Sequence, residues 1–141
     1  KNNMKNSEAA ELFNILNAAK NITVGSDLET AVLKTLRKMN NWRNDYLGEI
    51  NEIEDRNAAT LINDGVPIRV TKVLSRTIGD RKEEFLQPEY TIEGITKRNK
   101  EVRAFNSQEA TYFEIISTDD DHAFSNYEKI VLREYGFLKD K

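Results

Sequence analysis

The sequence predicts an α+β fold: an N-terminal helical hairpin with one long helix, a four-stranded antiparallel meander and a C-terminal helix. Three observations support this prediction. Apolar residues recur at helical spacing before residue 65, short runs rich in β-branched residues follow Pro67, and a helical pattern returns after residue 118. With 141 residues, we expect one domain, 1–141, made of a helical hairpin (1–65), an antiparallel sheet (66–118) and a C-terminal helix (119–141).

The first two helices have recognisable starts. Residues 7–20 place their apolar side chains on one helical face, and Ser7 is a candidate N-cap. The motif from Ser26 to Glu29 is a capping box, in which Ser26 accepts from the backbone of Glu29. A second helix is therefore expected to begin at about residue 27.

The second helix carries a long apolar stripe whose members are three or four residues apart. The mean step is about 3.67 residues, which fits a straight helix better than a left-handed coiled coil. We therefore expect one unbroken helix over 27–63, ended by Asp64-Gly65 and Pro67. The stripe consists of Leu28, Val32, Thr35, Met39, Trp42, Tyr46, Ile50, Ile53, Asn57 and Leu61.

Such a helix would be roughly 55 Å long, whereas a compact domain of this size has a radius of gyration of about 14 Å. The shorter first helix cannot cover the whole stripe. Either the chain's own sheet or a second copy of the chain must bury the rest. The self-association hypothesis assigns that contact to Leu28, Val32, Met39, Trp42, Tyr46, Ile50 and Ile53.

The β-rich part predicts four strands and the turns between them. Strands are expected over 68–78, 89–96, 101–105 and 111–117, with a turn at Gly79-Asp80 and a loop over 97–100. After them, Ser125 and Glu128 form another capping box. This box predicts a final helix over 125–136, closed by Gly136.

Composition narrows the possible functions. The formal net charge is −3, and the chain has one histidine and no cysteine. The absence of cysteine excludes disulfides, thiol catalysis and zinc sites of the cysteine type. No apolar run approaches the length of about 20 residues that spans a bilayer, so we expect no membrane partner and favour the cytoplasm. No cofactor motif occurs, and a non-enzyme is the preferred interpretation.

Three consecutive aspartates and the only histidine occupy positions 119–122. Carboxylates can bind a hard cation, and a histidine beside an aspartate can act as a base. The spacing of calcium-binding loops is absent, however. We therefore interpret this segment as an acidic turn whose charge favours the N-terminus of the following helix, with no metal site.

Residues 66–106 form the basic part of the chain, with nine basic and six acidic side chains. A basic sheet surface with aromatic neighbours can hold single-stranded nucleic acid. The interleaved acids favour the simpler interpretation that these charges solvate strands. The candidate contacts for nucleic acid or an acidic partner are Arg69, Lys72, Arg76, Lys97, Arg98 and Lys100.

The sequence thus favours a non-catalytic binding or assembly module that self-associates through its long helix. A homo-oligomer with a further protein partner is expected. The alternative is a nucleic-acid-binding protein that uses the basic sheet face. The abundant asparagine and absent cysteine suggest a bacteriophage or a bacterial accessory locus as the source.

Overall fold

A computed structural model describes residues 3–140, in which five helices and two two-stranded antiparallel sheets are present. The chain divides into two compact units. Unit 1 contains the residues up to Leu47 and from Phe105 onward, and unit 2 contains Gly48–Ala104. In chain order the elements are α1 (Asn6–Ala18), α2 (Asp27–Lys38), α3 (Asn40–Asn57), β1 (Thr60–Asn63), β2 (Val66–Arg69), β3 (Thr71–Ile78), β4 (Arg81–Pro88), α4 (Ile92–Asn106) and α5 (Asn126–Glu134).

Unit 1 has a well-packed apolar core. Its residues come from both ends of the chain, so helices near the N-terminus are covered by the segment that follows α4. The buried cluster consists of Met4, Ala9, Leu12, Phe13, Leu16, Leu28, Ala31, Val32, Met39, Trp42, Ala110, Phe113, Phe124, Leu132, Phe137 and Leu138.

The terminal helices confirm two sequence predictions. The first predicted helix is α1, although its N-cap is Lys5 rather than Ser7, and the Lys5 N–H donates to Glu8 at 2.9 Å. The last predicted helix is α5, in which Ser125 and Glu128 form the expected capping box. At the start of α2, Ser26 accepts from the Glu29 N–H as expected.

The prediction of one unbroken helix over 27–63 is matched only in part. The helix is interrupted at Met39, the C-cap of α2, although backbone hydrogen bonds continue through it from Met39 to Thr35 and from Arg43 to Met39. It then ends at Asn57, whose side chain donates to the Ile53 carbonyl. The chain beyond turns into β1, so Leu61 belongs to a strand.

In unit 2, β1–β2 and β3–β4 are separate antiparallel hairpins rather than the expected meander. Three backbone groups form a closed ring where the hairpins begin. Ala59 N–H donates to Glu89, Glu89 N–H donates to Val70, and Val70 N–H donates to Ala59, at 2.7, 2.9 and 2.8 Å. This ring connects the end of α3, both hairpins and the approach to α4.

The two hairpin turns follow from their glycines. Asp64 and Gly65 both have positive φ (51° and 77°), as a type I′ turn requires. In the second turn Gly79 has φ +60° at the first central position, which fits type II′. The predicted turn at Gly79-Asp80 is therefore confirmed, and strand β4 follows it.

The predicted strands over 89–96 and 101–105 are wrong, because α4 covers most of this stretch and the supposed loop at 97–100. The Thr91 hydroxyl accepts from the Gly94 N–H, which is an N-cap interaction. Ion pairs then connect α4 to α3: Arg98 with Glu54 at 2.9 Å and Arg56 with Glu101 at 2.7 Å. No residue of α4 is fully buried, so the spacing of its apolar residues gives only a weak signal for a helix.

The predicted strand over 111–117 is also absent. The segment is not part of either sheet, and its ends are held by isolated bridges from Glu109 to Lys5 and from Thr118 to Leu138. It contributes Phe113 to the unit 1 core. Its β-branched and aromatic residues are therefore explained by packing in the core beside the helices, not by pairing in a sheet. Within residues 3–140, none of the helices has the length and apolar character to cross a membrane.

Candidate functional site

We call residues 60–88 the hairpin pair, and their side chains are the most exposed apolar group of the chain. In unit 2, no side chain from residue 58 to residue 104 is buried. Among residues 3–140, fifteen large apolar side chains are exposed, and eight of them lie in the hairpin pair at 40–72% exposure. These eight are Leu61, Ile62, Val66, Ile68, Val73, Ile78, Phe85 and Leu86.

Apolar side chains occupy both faces of the longer hairpin. Val73 lies opposite Leu86, and the next pair along the strands is Leu74 opposite Phe85. Since successive residues of a strand point to opposite faces, the first pair covers one face and the second pair the other. A hairpin that is solvated on one face would place polar residues there, so this pattern indicates cover on both faces.

The shorter hairpin repeats this arrangement. Leu61 lies opposite Ile68, and Ile62 lies opposite Pro67. Each sheet contains only two strands, so every strand has one edge without a neighbouring strand. Free strand edges are templates for pairing with another chain. An isolated two-stranded hairpin is also only marginally stable in water. The hairpin pair thus lacks both the cover and the extra strands that would stabilise it.

The charges of the hairpin pair are nearly balanced. Residues 60–88 contain five basic and four acidic side chains. On the longer hairpin, Arg76 pairs with Glu83 at 3.2 Å and its guanidinium lies over the Phe85 ring, 5.4 Å from the centroid. Arg81 also contacts Glu83, at 3.8 Å. This surface therefore presents no strong field of either sign.

The residues predicted for self-association lie largely inside the chain's own packing. Leu28, Val32, Met39 and Trp42 belong to the unit 1 core, and Ile53 is buried within unit 2. The Trp42 indole N–H donates to Asn6 at 3.0 Å, and its ring stacks on Tyr46 with centroids 5.1 Å apart. Only Tyr46 and Ile50 of the set are half-buried. The length argument is also weakened, because the helical run ends at Asn57 rather than at residue 63, and most of its stripe is buried by the chain's own residues.

The six predicted basic contacts do not share one sheet face. Arg69, Lys72 and Arg76 lie on the hairpins, whereas Lys97, Arg98 and Lys100 lie on α4. Three arginines are ion-paired: Arg69 with Asp55 at 2.9 Å, Arg76 with Glu83, and Arg98 with Glu54. The hydrogen bond that Arg98 donates to Glu54 raises the pKa of the Arg98 guanidinium. Paired cations are poor phosphate contacts, since a phosphate would have to displace a carboxylate.

The acidic turn at 119–122 has a structural role different from the expected one. His122 Nδ1 lies 2.6 Å from Asp120, while His122 Nε2 accepts from the Thr23 N–H at 3.0 Å. These contacts place the ring proton on Nδ1. Asp120 also accepts from the Leu28 N–H at 3.3 Å, so it serves the N-terminus of α2 rather than that of α5. The hydrogen bond from His122 holds the pKa of Asp120 below its ordinary value.

Asp121 is the residue of this turn that interacts with α5, through Lys129 at 3.9 Å and Arg133 at 3.7 Å. Across the part of the chain that the structure describes, histidines and carboxylates do not gather in groups of three or more that could hold a metal ion. The turn thus connects α2, the preceding loop and α5.

Sequence reasoning missed the hairpin pair as a candidate surface. The signal was present in Asp64-Gly65, since this dipeptide between apolar residues is a strong hairpin indicator. The same dipeptide can also end a helix, and the predicted helix over 27–63 uses it in that way. The strand β4 gave a weaker signal, because it begins with four charged residues, Arg81 to Glu84. No protein family model matches the sequence, and neither curated proteins nor solved structures show a significant similarity to it.

Proposed function

We propose that this protein is a non-catalytic assembly module that self-associates through its hairpin pair. The observation that carries the proposal is the absence of any buried side chain from 58 to 104, in a segment where nine large apolar side chains are exposed, eight of them in the hairpin pair. Ordering a residue costs about 1–2 kcal/mol of backbone entropy. Burial against another protein surface would supply the stabilisation that this segment does not obtain from its own packing.

The exposed apolar area matches a specific interface. Full burial of an apolar side chain removes roughly 60–120 Å² from water. The eight side chains keep about half of that area exposed, which gives roughly 300–500 Å² together. Because interfaces are about 57% apolar, the corresponding interface is roughly 500–900 Å² per partner. A standard interface buries about 800 Å² per partner.

A second copy is the partner that these charges favour. Two identical strongly basic or acidic surfaces would repel each other, but the hairpin pair is close to neutral. The apolar residues on both faces and the free strand edges can be satisfied together when hairpins from two chains pair and stack. The same near-neutrality argues against nucleic acid, which requires an excess of free cations.

The non-catalytic part of the proposal rests on the available chemistry. The chain has no cysteine and one histidine. Both ring nitrogens of that histidine are hydrogen-bonded, to Asp120 and Thr23. A general base needs a free ring nitrogen within reach of a substrate. These contacts support a structural role for His122.

The test is the oligomeric state of the double variant Val73→Thr with Leu86→Thr, measured by light scattering and sedimentation. Threonine is a β-branched residue that strands favour, and it makes this face polar. We expect the wild type to be a dimer or larger at micromolar concentration and the variant to be monomeric. Unfolding followed by Trp42 fluorescence should be unchanged, because Trp42 lies in the unit 1 core.

The matched control is Val24→Thr, which alters an exposed apolar side chain in unit 1 and should leave the oligomer intact. A monomeric wild type at 100 µM, or a variant with unchanged oligomeric state, would overturn the proposal. If the monomer instead binds single-stranded DNA or RNA with an affinity that falls steeply with salt, the nucleic-acid alternative replaces it.

A further inference from the structure

A shallow groove of about 370 Å³ lies in unit 1, between α2 and the segment that follows α4. It is lined by Lys34, Arg37, Lys38, Glu114 and Ile116. The groove is separate from the hairpin pair, and its use does not depend on self-association. Its size is at the lower end of the range of small-molecule sites, which is about 300–1,000 Å³.

The lining carries an excess of two positive charges. Lys38 pairs with Glu114 at 3.4 Å, with both side chains about half exposed. Lys34 and Arg37 have no ion-pair partner among residues 3–140. Since Lys34, Arg37 and Lys38 are three and four residues apart on one helix, their like charges destabilise α2 by a few tenths of a kcal/mol per pair. A bound anion would relieve this repulsion.

The helix dipole does not account for the cluster. Cations stabilise a free helix C-terminus, and only within its last turn. Lys34 precedes the last turn of α2, which contains Arg37 and Lys38. The end of α2 is also not free, because the Met39 N–H donates to Thr35 and the Arg43 N–H donates to Met39. The backbone ladder thus continues into α3, and the negative end of the dipole is reduced there.

We infer that this groove binds the phosphate group of a small phosphate ester. The two unpaired cations match the charge of a phosphate dianion. Arg37 can bind two phosphate oxygens with its planar guanidinium, and Lys34 adds a point charge. The exposed part of Ile116 offers contact to an apolar body attached to the phosphate. Glu114 competes with the ligand for Lys38.

The test is an NMR titration of the full chain with inorganic phosphate, phenyl phosphate and benzoate at constant ionic strength. Phenyl phosphate should bind saturably, with shifts at residues 34–38 and 116. It should bind more tightly than inorganic phosphate, because of its apolar ring, and more tightly than the monoanionic benzoate. Lys34→Gln and Arg37→Gln should each weaken binding about fivefold or more, as expected for one charge-assisted hydrogen bond.

Two further variants make the result specific. Glu114→Gln should tighten binding of phenyl phosphate about threefold, since it frees Lys38 from its carboxylate partner. Lys97→Gln removes an exposed cation from α4 and should change nothing. The inference is overturned if phenyl phosphate shows no saturable binding up to 10 mM, if Lys97→Gln weakens binding as much as Arg37→Gln, or if benzoate binds equally well.

Discussion

Units 1 and 2 differ in how many side chains they bury. Unit 1 buries sixteen residues in one cluster, whereas unit 2 buries only Ile53 and Asn57. Both units contain regular elements with suitable caps, turns and ion pairs. The difference shows that local signals can specify helices and hairpins where no core is formed. Such elements need other sources of stability, and in unit 2 these are polar.

Ion pairs of unit 2 connect its helices to each other and to the shorter hairpin: Arg98 with Glu54, Arg56 with Glu101 and Arg69 with Asp55. Glu101 accepts from both Asn57 and Arg56, and these hydrogen bonds hold its pKa below the ordinary value. Contacts of this kind contribute little individually in water. They orient α3, α4 and the hairpins without removing much apolar surface from solvent. Under the proposed function unit 2 would be the interacting part, whereas unit 1 has an apolar core of its own.

The strongest way to break this comparison is to remove one large ring from each unit. Phe137 is fully buried and meets the edge of Phe124 at a centroid distance of 6.3 Å. Phe137→Ala should lower the free energy of unfolding of unit 1 by about 3–5 kcal/mol, since it leaves a cavity in the core. Urea unfolding followed by Trp42 fluorescence measures this loss.

The control is Phe85→Ala, which removes a ring of the same size that is 40% exposed on β4. At concentrations too low for association, it should cost about 1–2 kcal/mol, less than Phe137→Ala, because 40% of the ring is already in solvent and no closed cavity is left. A loss equal to that of Phe137→Ala would contradict the distinction between the units.

The comparison can be sharpened within unit 2 through its two helical glycines. A Cβ added at Gly94 would lie 2.5 Å from the carbonyl oxygen of Asn57, so α3 or α4 must shift. Gly94→Ala should destabilise unit 2 by about 1–3 kcal/mol through this overpacking. The loss should appear in urea unfolding followed by circular dichroism at 222 nm, while the transition of Trp42 fluorescence stays in place.

Gly48→Ala is the matched change in α3, where nothing lies within 4 Å of the new Cβ. It should stabilise the helix by about 1 kcal/mol, because alanine is the better helix former. If Gly94→Ala stabilised unit 2 as Gly48→Ala should, the close approach at Gly94 would have no energetic importance.

The smallest effect concerns the acidic turn of unit 1. His122 and the Leu28 N–H lower the pKa of Asp120, so the carboxylate contributes stability above its unfolded pKa of about 3.9. That contribution is lost as the pH falls through the lower folded value. Asp120→Asn should therefore reduce the midpoint of Trp42 unfolding at pH 6, and the difference from wild type should shrink at pH 3.

The exposed neighbour Asp119 supplies the comparison. Asp119→Asn should leave the midpoint close to that of wild type at both pH values, since within residues 3–140 its carboxylate accepts no hydrogen bond from another element of unit 1. A gap between wild type and Asp120→Asn that widens below pH 4 would mean that the carboxylate does not stabilise the fold in its charged form.

Local chemistry by itself determined where several elements begin and end. The capping boxes at Ser26 and Ser125 predicted the starts of α2 and α5, and Gly79 predicted a turn. The apolar stripe from Leu28 to Trp42 correctly marked a buried face. These features depend on side chains a few residues apart, so they can be recognised without knowledge of the rest of the chain.

Only the tertiary structure decided which residues cover the apolar face of each helix. It also decided whether segments with ambiguous patterns become helices or strands. The stripe is covered by residues near the C-terminus, such as Phe113 and Leu132, rather than by a sheet. Residues 92–106 become helical where ion pairs with α3 are available, although the alternation of Tyr90 and Ile92 with polar Thr91 and Glu93 favours a strand at the start of this stretch. The physical reason is that such contacts join residues far apart in sequence. Their free energy exceeds the small differences in local preference between helix and strand.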